Sequence, residues 1–276
     1  MIRERFAPSP TGLIHLGHAF SALTAYDAAR SVGGTFLLRI EDIDQARCRA
    51  AFEAQIFEDL RWLGVQWSEP VLRQSQRLME YRSALMRLAE MGLVFPCNCT
   101  RGDIEAALSA RQEGDGAPAP YPGTCRTRSM SDWVPGDAIR LNMSEAVKRR
   151  PKLHYSEIGS GEPRSVTLAP DMLEATHGDV VLARKDIQTS YNLAVVVDDA
   201  EQGVSHVTRG EDMVDLTGIH VLLQALLGYA TPVYRHHRLI RDETGKRLAK
   251  RYDALSIKAL RENGHSPGDI RRMVGL

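Results

Sequence analysis

The segment that most constrains the fold of this chain is residues 6–18, because a strand or turn must pass directly into a helix there. Its two prolines exclude a regular helix at the start of the segment, and the glycine that follows them permits a tight turn. Beyond that turn, apolar residues recur at helical spacing, which predicts a helix that begins near Gly17. His15 and His18 are therefore predicted at a helix N-terminus.

A helix N-terminus that carries two imidazoles is suited to bind phosphate. Free backbone N–H groups and the positive end of the helix dipole favour an anion there, and the side chains of His15 and His18 can add hydrogen bonds. Gly17 has no side chain, so a flat base can approach the backbone. Taken alone, the tetrapeptide His-Leu-Gly-His fits a surface turn equally well.

Composition sets only broad limits on the function. A chain of 276 residues is long enough for one large domain with an insertion. Its 35 basic and 35 acidic residues balance, so any contact with RNA requires a local basic patch. The N-terminus lacks the pattern of a signal peptide, and no apolar run approaches the length of a membrane span. We therefore expect a cytoplasmic protein without a membrane partner, acting as a monomer.

The distribution of apolar residues predicts an α/β fold with a mainly parallel sheet. Predicted strands alternate with predicted helices, and in such folds ligands bind at the carboxyl ends of the strands. A less regular stretch from residue 96 to about residue 173 has the character of an insertion. Strands are predicted at residues 35–40, 179–182, 193–197 and 204–208, and helices are predicted to end at Gly64, Gly92 and Leu227.

Three of the four cysteines lie in that insertion and are candidate zinc ligands. Cys97 and Cys99 are separated by one residue, and Cys125 follows Tyr121 at a spacing of four. Zinc prefers tetrahedral thiolate sites whose ligand pairs come from short turns. The spacing alone leaves zinc and buried free thiols equally open. A site with three thiolates needs a fourth ligand, which Tyr121, His154 or water can supply.

Two segments, residues 5–18 and residues 38–44, resemble segments of class I aminoacyl-tRNA synthetases. His-Leu-Gly-His at 15–18 is similar to the HIGH signature of that class. Arg-Phe-Ala-Pro-Ser-Pro-Thr-Gly at 5–12 resembles the glutamyl branch, as does Leu-Arg-Ile-Glu-Asp-Ile-Asp at 38–44. In that branch, the second segment helps to hold glutamate.

A third motif near the C-terminus resembles the KMSKS loop of the same class. Lys-Arg-Leu-Ala-Lys-Arg at 246–251 keeps the lysine that contacts ATP, at Lys250. Arg247 and Ala249 depart from the usual lysine and serine. A solvated basic surface is the alternative interpretation of this segment, and residues 235–251 and 148–150 are also candidate contacts for RNA phosphates.

The resemblance implies a role for a defined set of residues. Tyr191 and Arg209 would line the amino-acid pocket, where the planar guanidinium of Arg209 can bind a carboxylate with two hydrogen bonds. Without the family, Tyr191 fits a core aromatic residue, and Arg209 fits an ion pair with Glu211 or Asp212. The implied site consists of catalytic His15, His18 and Lys250; glutamate-binding Arg5, Phe6, Ala7, Pro8, Ser9, Glu41, Tyr191 and Arg209; ATP-binding His15, Gly17, His18 and Lys250; and zinc-binding Cys97, Cys99, Tyr121 and Cys125.

The resemblance also implies a class I Rossmann-type fold with a helical C-terminal segment and a defined division of the chain. Residues 1–96 and 174–234 would form the two halves of the catalytic domain. Residues 97–173 would form the insertion, with a structural zinc knob at about 97–130. Residues 235–276 would contain the KMSKS-type loop and the helical segment.

Only 25 residues follow Arg251, whereas full-length glutamyl-tRNA synthetases continue into anticodon-binding domains. Short members of this family, the glutamyl-queuosine tRNA(Asp) synthetases, lack those domains. They activate glutamate with ATP and Mg²⁺ and attach it to the queuosine base at the wobble position of tRNA(Asp). We expect this function for the chain.

Three other functions remain open at this point. The chain can be a shortened glutamyl-tRNA synthetase that charges the 3′ end of tRNA. It can be an adenylate-forming ligase with a small amine as acceptor, which would not depend on RNA. The altered residues Arg247 and Ala249 also fit a paralogue that binds RNA without catalysis.

Overall fold

A computed structural model describes residues 1–109, 120–150, 152–159, 163–240 and 256–276 of the chain. Within these residues the strands form three small sheets, and helices cover them. None of the helices in this part of the chain combines the length and the apolar character that a membrane span requires. The α/β class expected from the sequence is confirmed.

The first sheet is parallel and contains the N-terminal strands in the order β1, β2, β3. Helices α1 and α2 connect these strands, as parallel pairing requires. The carboxyl ends of β1 and β2 therefore lie side by side at one edge. The elements are β1 (Arg3–Phe6), α1 (Leu16–Arg30), β2 (Thr35–Ile40), α2 (Ala50–Trp62) and β3 (Ser68–Arg73).

The helix ends predicted from glycine are confirmed. Helix α2 is followed by Gly64 with φ of 79°, and the next helix, α3 (Leu78–Glu90), by Gly92 with φ of 70°. Side chains rarely tolerate this left-handed backbone, so glycine is the residue that lets the chain leave the helix there.

The second small sheet is antiparallel, so the predicted mainly parallel sheet is wrong for this part of the chain. Its strands β4, β5 and β8 pair in that order. Antiparallel strands need no crossover helix. Cys97 ends β4, and Cys99 and Cys125 lie between β4 and β5 in the sequence. Strand β5 lies inside the predicted insertion of residues 97–173, whereas β4 lies at its start and β8 after its end. The boundaries of the insertion stay predictions. The elements are β4 (Val94–Cys97), α4 (Arg101–Ser109), β5 (Ala138–Leu141), α5 (Met143–Arg149), α6 (Pro170–His177) and β8 (Val181–Ala183).

The strand predicted at residues 193–197 is wrong, because this segment lies in a helix, α7 (Tyr191–Glu201). The Ser190 side chain caps it by accepting a hydrogen bond from the backbone N–H of Leu193. All of residues 193–199 are buried. A helix that is buried on every side loses its amphipathic period, and its run of β-branched residues then resembles a buried strand.

The third sheet joins three parallel strands with one antiparallel edge strand, in the order β7, β6, β10, β9. Strand β10 pairs in parallel with β9 over five residues, and β6 pairs in parallel with β10 at Glu157 and Tyr234. The elements are β6 (Leu153–Glu157), β7 (Arg164–Leu168), β9 (His206–Gly210), α8 (Val214–Leu227) and β10 (Val233–His237).

The C-terminal helices α9 (Ile257–Glu262) and α10 (Pro267–Val274) pack against the N-terminal part of the chain. The backbone N–H of Ile257 donates to the carbonyl of Ile14 at 2.9 Å, directly beside the start of α1. The segment that precedes α9, which includes the KMSKS-type motif with Lys250, lies outside the described residues.

Candidate functional site

Helix α1 begins at the two histidines, as the sequence predicts. His15 is the N-cap residue, and its ring accepts a hydrogen bond from the backbone N–H of Gly17 at 3.1 Å. The His18 ring accepts in turn from the backbone N–H of His15 at 3.3 Å, and the two rings stack 3.9 Å apart. A Cβ at Gly17 would lie 3.0 Å from the His15 ring, so glycine lets the ring fold over the helix end.

A cavity of about 260 Å³ opens beside this helix end, at the carboxyl ends of strands β1 and β9. It contains all eight residues that the resemblance assigns to glutamate, together with His18. His15, which caps the helix, and Gly17 in its first turn are not part of the cavity lining. The lining consists of Arg5, Phe6, Ala7, Pro8, Ser9, His18, Ser21, Glu41, Tyr191, Thr208, Arg209 and Met213.

Three lining residues were not predicted from the sequence. Ser21 lies one helical turn after His18 on α1, so helical spacing would have found it. Thr208 precedes Arg209 on β9, and its hydroxyl donates to buried Glu4 at 2.9 Å. Met213 follows β9 in a short helical turn and carries no sequence signal of its own.

A buried ion network holds one side of the cavity. Arg5 donates to Asp199 at 3.1 Å, and Arg39 donates to the same carboxylate oxygen at 2.6 Å. Arg39 also donates to Glu41 at 3.2 Å. Burial opposes ionisation of Asp199, but the charges of Arg5 and Arg39 hold the pKa of this carboxyl below its ordinary value. The network therefore orients Arg5 and Glu41, which face the cavity.

Asp198, the preceding residue of α7, anchors the helix from behind. Its carboxylate accepts hydrogen bonds from Gln74 at 2.9 Å, Arg77 at 2.8 Å and Tyr81 at 2.8 Å. Because α7 begins at Tyr191, these contacts also hold that ring in the cavity wall. This network was not predicted from the sequence, although the two adjacent aspartates follow an apolar run, and a buried charge requires a partner.

Arg209 also lines the cavity, and it is buried among neutral partners. Its guanidinium donates to the Thr217 hydroxyl at 2.6 Å and lies 3.1 Å from Nδ1 of His220. Burial and the charge of Arg209 lower the pKa of His220 well below its ordinary value, so this imidazole is neutral and accepts. Across the described residues no carboxylate forms an ion pair with Arg209, and the alternative of a pair with Glu211 or Asp212 is wrong.

A buried cation without a counter-ion is costly, so the cavity is suited to an anionic ligand. The exposed fraction of Arg209 is 6%, and that of Arg5 is 5%. Arg5 already pairs with Asp199, whereas Arg209 leaves its charge to be matched by the ligand. A carboxylate of a small molecule fits this requirement.

A second cavity, of about 290 Å³, adjoins the first. The two cavities share Ser9, Glu41 and Tyr191 in their walls. The further lining of the second cavity consists of Thr11, Ile43, Asp44, Arg47, Cys48, Gln74 and Arg184. A molecule bound in it would be next to the ligand of the first cavity.

The three cysteines of the insertion converge, although they lie on different turns of the chain. The sulfur atoms of Cys97, Cys99 and Cys125 all lie within 4.8 Å of one another. The Tyr121 hydroxyl is 3.4 Å from the Cys97 sulfur and 3.5 Å from the Cys99 sulfur. Arg140 lies over the Tyr121 ring at 4.0 Å and keeps it against the cluster.

The entire chain matches one protein family. Residues 1–276 match the family described as tRNA synthetases class I (E and Q), catalytic domain. The chain belongs to this family. It is 53% identical over 280 residues to a protein of Rhodobacter capsulatus named glutamyl-Q tRNA(Asp) synthetase, and the alignment covers 99% of both chains.

Other members of this class I family are similar over different shares of their length. A glutamate–tRNA ligase of Aquifex aeolicus is 36% identical, and the alignment covers 96% of this chain and 55% of that protein. A solved glutamate tRNA ligase from Elizabethkingia meningosepticum has a TM-score of 0.71 and 29% identity. This chain covers 53% of that ligase, and therefore spans about half of its length.

The cysteine cluster of this synthetase-family chain is compatible with a zinc ion. Zinc–sulfur bonds of about 2.3 Å in a tetrahedron place sulfur atoms about 3.8 Å apart, close to the observed separation of 3.5 Å between Cys99 and Cys125. The Tyr121 hydroxyl oxygen lies beside two of these sulfur atoms, at 3.4 and 3.5 Å. The alternative His154 is an exposed residue of β6, in a different sheet.

The thiols of the cluster differ in how readily they ionise. Burial raises the pKa of Cys99 to about 11. Burial also opposes ionisation of Cys125. Hydrogen bonds, above all the one with the Tyr121 hydroxyl, outweigh this effect and lower the pKa of Cys125 to about 7. Zinc binds thiolates, so a bound ion would draw the remaining protons from the cluster.

Proposed function

We propose that the chain activates L-glutamate with ATP and transfers it to the queuosine base at the wobble position of tRNA(Asp). The observation that carries the first step is the cavity in which Arg209 is buried without a carboxylate partner among the described residues. The acceptor is supported by the 53% identity with a glutamyl-Q tRNA(Asp) synthetase over 99% of both chains.

In the first cavity, Arg209 and Arg5 bind one carboxylate of glutamate, and Glu41 faces its ammonium group. An aspartate side chain is one methylene shorter and a glutamine side chain carries no charge, so both match the arginines less well. Tyr191 closes the wall between Arg209 and Glu41. These roles explain why two arginines and one acidic residue converge in a cavity of about 260 Å³.

The free carboxylate of glutamate then attacks the α-phosphorus of ATP, and pyrophosphate leaves. His15 and His18 lie at the N-terminus of α1 and stabilise the charge that develops on the phosphate oxygens. Lys250 is proposed to bind the leaving pyrophosphate. Magnesium bound to ATP supplies additional positive charge for the phosphates. Gly17 leaves the backbone accessible to adenine.

In the second step, a hydroxyl of the queuosine cyclopentenediol attacks the carbonyl of glutamyl-adenylate, and AMP leaves. The second cavity is proposed to receive this acceptor, because it shares Ser9, Glu41 and Tyr191 with the glutamate pocket. The two reactants are thereby held next to one another, which removes much of the entropic cost of their encounter.

We propose a structural zinc ion held by Cys97, Cys99, Tyr121 and Cys125. These residues line neither of the two cavities that border Tyr191. The ion therefore supports the insertion and takes no part in the transfer of glutamate.

Two measurements test the function together. Purified protein is expected to exchange pyrophosphate into ATP with glutamate and without RNA, and much less with glutamine or aspartate. A queuosine-containing anticodon stem-loop of tRNA(Asp) is expected to accept glutamate, and the same RNA with guanine is not. Absence of exchange under all magnesium and RNA conditions contradicts the enzymatic function.

A second candidate, charging of the tRNA 3′ end, follows from the 36% identity with a glutamate–tRNA ligase. Glutamate on the terminal adenosine, together with an inert stem-loop, would establish that function instead. Truncation of the RNA is the informative design, because periodate destroys the diol of queuosine as well as the terminal ribose.

A further inference from the structure

Four cations form an exposed basic surface where helices α3 and α8 end and strand β6 begins: Arg87, Arg149, Arg150 and Lys152. The arginines donate to carbonyls of the last helical turns. Arg87 donates to Leu227 at 2.5 Å, Arg149 to Met91 at 3.0 Å and Arg150 to Ala225 at 3.1 Å. A guanidinium has five N–H donors, so these contacts leave further donors free to face solvent.

The charge of this basic surface is largely not offset by acidic groups. In the part of the chain that the structure describes, Arg87, Arg150 and Lys152 form no ion pair with a carboxylate. Neighbouring Lys148 differs, since Glu145 binds it at 2.7 Å. Lys148 first, and Arg149 to a smaller degree, also lower the pKa of Glu145.

A groove of about 280 Å³ adjoins the basic surface, and its lining combines Lys152, His154 and Ser156 with apolar residues of α8 and of the start of β10. Lys152 directly precedes β6, and His154 and Ser156 alternate along the exposed side of that strand. Ammonium, imidazole and hydroxyl groups are the side chains that proteins use to contact phosphate and sugar oxygens of nucleic acids.

Strand β6 connects this groove with the proposed glutamate pocket. From Lys152 it runs five residues to Glu157, a distance of about 17 Å. Glu157 lies 2.7 Å from Nδ1 of His236, and the other ring nitrogen of His236 accepts a hydrogen bond from Arg209 at 3.4 Å. An RNA that placed its reactive base in the catalytic cavities could reach the groove with its backbone a few nucleotides away.

We propose that the basic surface and the adjoining groove bind the phosphate backbone of the RNA acceptor. This proposal rests on the proposed function for the identity of the RNA. The contact is independent of base sequence, because it uses backbone phosphates, and it therefore positions the acceptor without selecting it.

Lys152 is the residue of choice for the test, because no described hydrogen bond or ion pair depends on its side chain. The probe is an unmodified anticodon stem-loop RNA, titrated with the full chain between 50 and 200 mM salt. We expect Lys152→Gln to weaken RNA binding about fivefold to tenfold and to lower the slope of log Kd against log salt by about 0.7 to 0.9. Lys152→Glu should weaken it further.

Lys148→Gln is the matched control, since Glu145 already offsets its charge. This variant is expected to bind the RNA within about twofold of the unmodified protein. Pyrophosphate exchange without RNA should be unchanged in all three variants, because the groove lies apart from the ATP and glutamate sites.

The outcomes separate this proposal from the proposed function. If the protein activates glutamate but both Lys152 variants bind RNA with an unchanged Kd and salt slope, the basic surface does not bind RNA. If the protein fails to activate glutamate while Lys152→Gln weakens RNA binding, the surface stands and the enzymatic function falls. Equal weakening by Lys148→Gln would also contradict the proposal, since it would indicate general attraction.

Discussion

At the level of single residues, substitution of Arg209 gives the clearest test of whether a buried side chain stabilises the fold or binds the ligand. Its hydrogen-bond partners in the described structure are Thr217, His220 and His236, all of them neutral acceptors. Arg5 differs, because its pairing with Asp199 is present before any ligand binds. The two arginines should therefore respond differently to substitution.

Arg209→Gln is expected to lower the affinity for glutamate about 100-fold or more, because two charge-assisted hydrogen bonds of about 1.5 to 3 kcal/mol each are lost. The melting temperature of the ligand-free protein should not fall, since the variant removes a buried charge that lacks a counter-ion. Steady-state exchange kinetics and thermal unfolding measure both effects.

Arg126→Gln is the control for Arg209→Gln. Arg126 pairs with buried Asp179 at 2.8 Å and lies outside the glutamate pocket. This control should lose stability and keep its affinity for glutamate. If Arg209→Gln behaved in the same way as the control, Arg209 would be a structural residue.

His15 has two tasks that two variants can separate. Its ring caps α1 and is also proposed to stabilise charge on ATP. Both His15→Ala and His15→Asn should lower the exchange rate about 100-fold to 1000-fold. Only the alanine variant should also lose about 1 kcal/mol of stability, because asparagine is a good N-cap residue.

Lys250→Ala is expected to reduce the exchange rate to the same extent as His15→Ala, because it removes a group that stabilises charge in the transition state. A Lys250 variant with a normal exchange rate would assign the ATP contact to another residue of the KMSKS-type motif.

For His15, full activity of the asparagine variant would restrict the residue to its capping role.

At the level of elements, the cysteine loop depends on tertiary contacts of side chains that are distant in sequence. Cys97 ends β4, whereas Tyr121 and Cys125 follow residues 110–119, which lie outside the described part. A tetrahedral ion would fasten these pieces to one another.

About one zinc ion per chain is expected after dialysis, and Cys97→Ser should lose it. Limited proteolysis should then cut the loop more rapidly, because metal binding and local folding are coupled. Cys48→Ser is the control, since this cysteine lies in the second cavity wall. Unchanged protection of a metal-free protein would show that the ion is incidental, and Tyr121→Phe tests the oxygen ligand.

The contact of α2 with α9 contains a buried carboxylate, Asp59, with one oxygen that no described group bonds. Gln55 donates to the other oxygen at 2.9 Å, and Arg261 is 3.8 Å away. Burial raises the pKa of Asp59 from 3.8 to about 6. The folded protein therefore binds a proton more tightly than the unfolded chain does, and the charged form destabilises the fold.

Asp59→Asn is expected to stabilise the protein by about 1 to 2 kcal/mol at pH 7. The gain should be absent below the unfolded pKa of 3.8 and should grow as pH rises towards about 6, where Asp59 ionises in the folded state. Denaturant unfolding across this range measures it. Glu58→Gln, which removes an exposed partner of Arg261, should change stability by less than about 0.5 kcal/mol.

At the level of the whole molecule, the catalytic cavities are assembled from segments far apart in sequence. Strand β1, the end of β2, the start of α7 and the end of β9 each contribute to the first cavity. Asp198 and Asp199 of α7 connect several of them, because these two residues bind side chains from β1, from β2 and from the region before α3. The first cavity therefore depends on a buried ion network in the helix whose residues 193–197 were predicted as a strand.

Local chemistry was sufficient to predict the parallel start of the fold and several helix ends. Proline, glycine and helical spacing act over a few residues, and so they located α1 at His15 and ended α2 and α3 at glycines. The family motifs also named the residues that line the glutamate pocket, although their roles stay predictions until they are measured.

Long-range packing decided the remainder. The apolar run in α7 has the same appearance as a buried strand, and only burial on every side of a capped helix resolves it. The antiparallel sheet around the insertion and the neutral surroundings of Arg209 likewise have no signal in sequence spacing. Ion pairs such as Arg39 with Asp199 join positions 160 residues apart, a separation that no local pattern can encode.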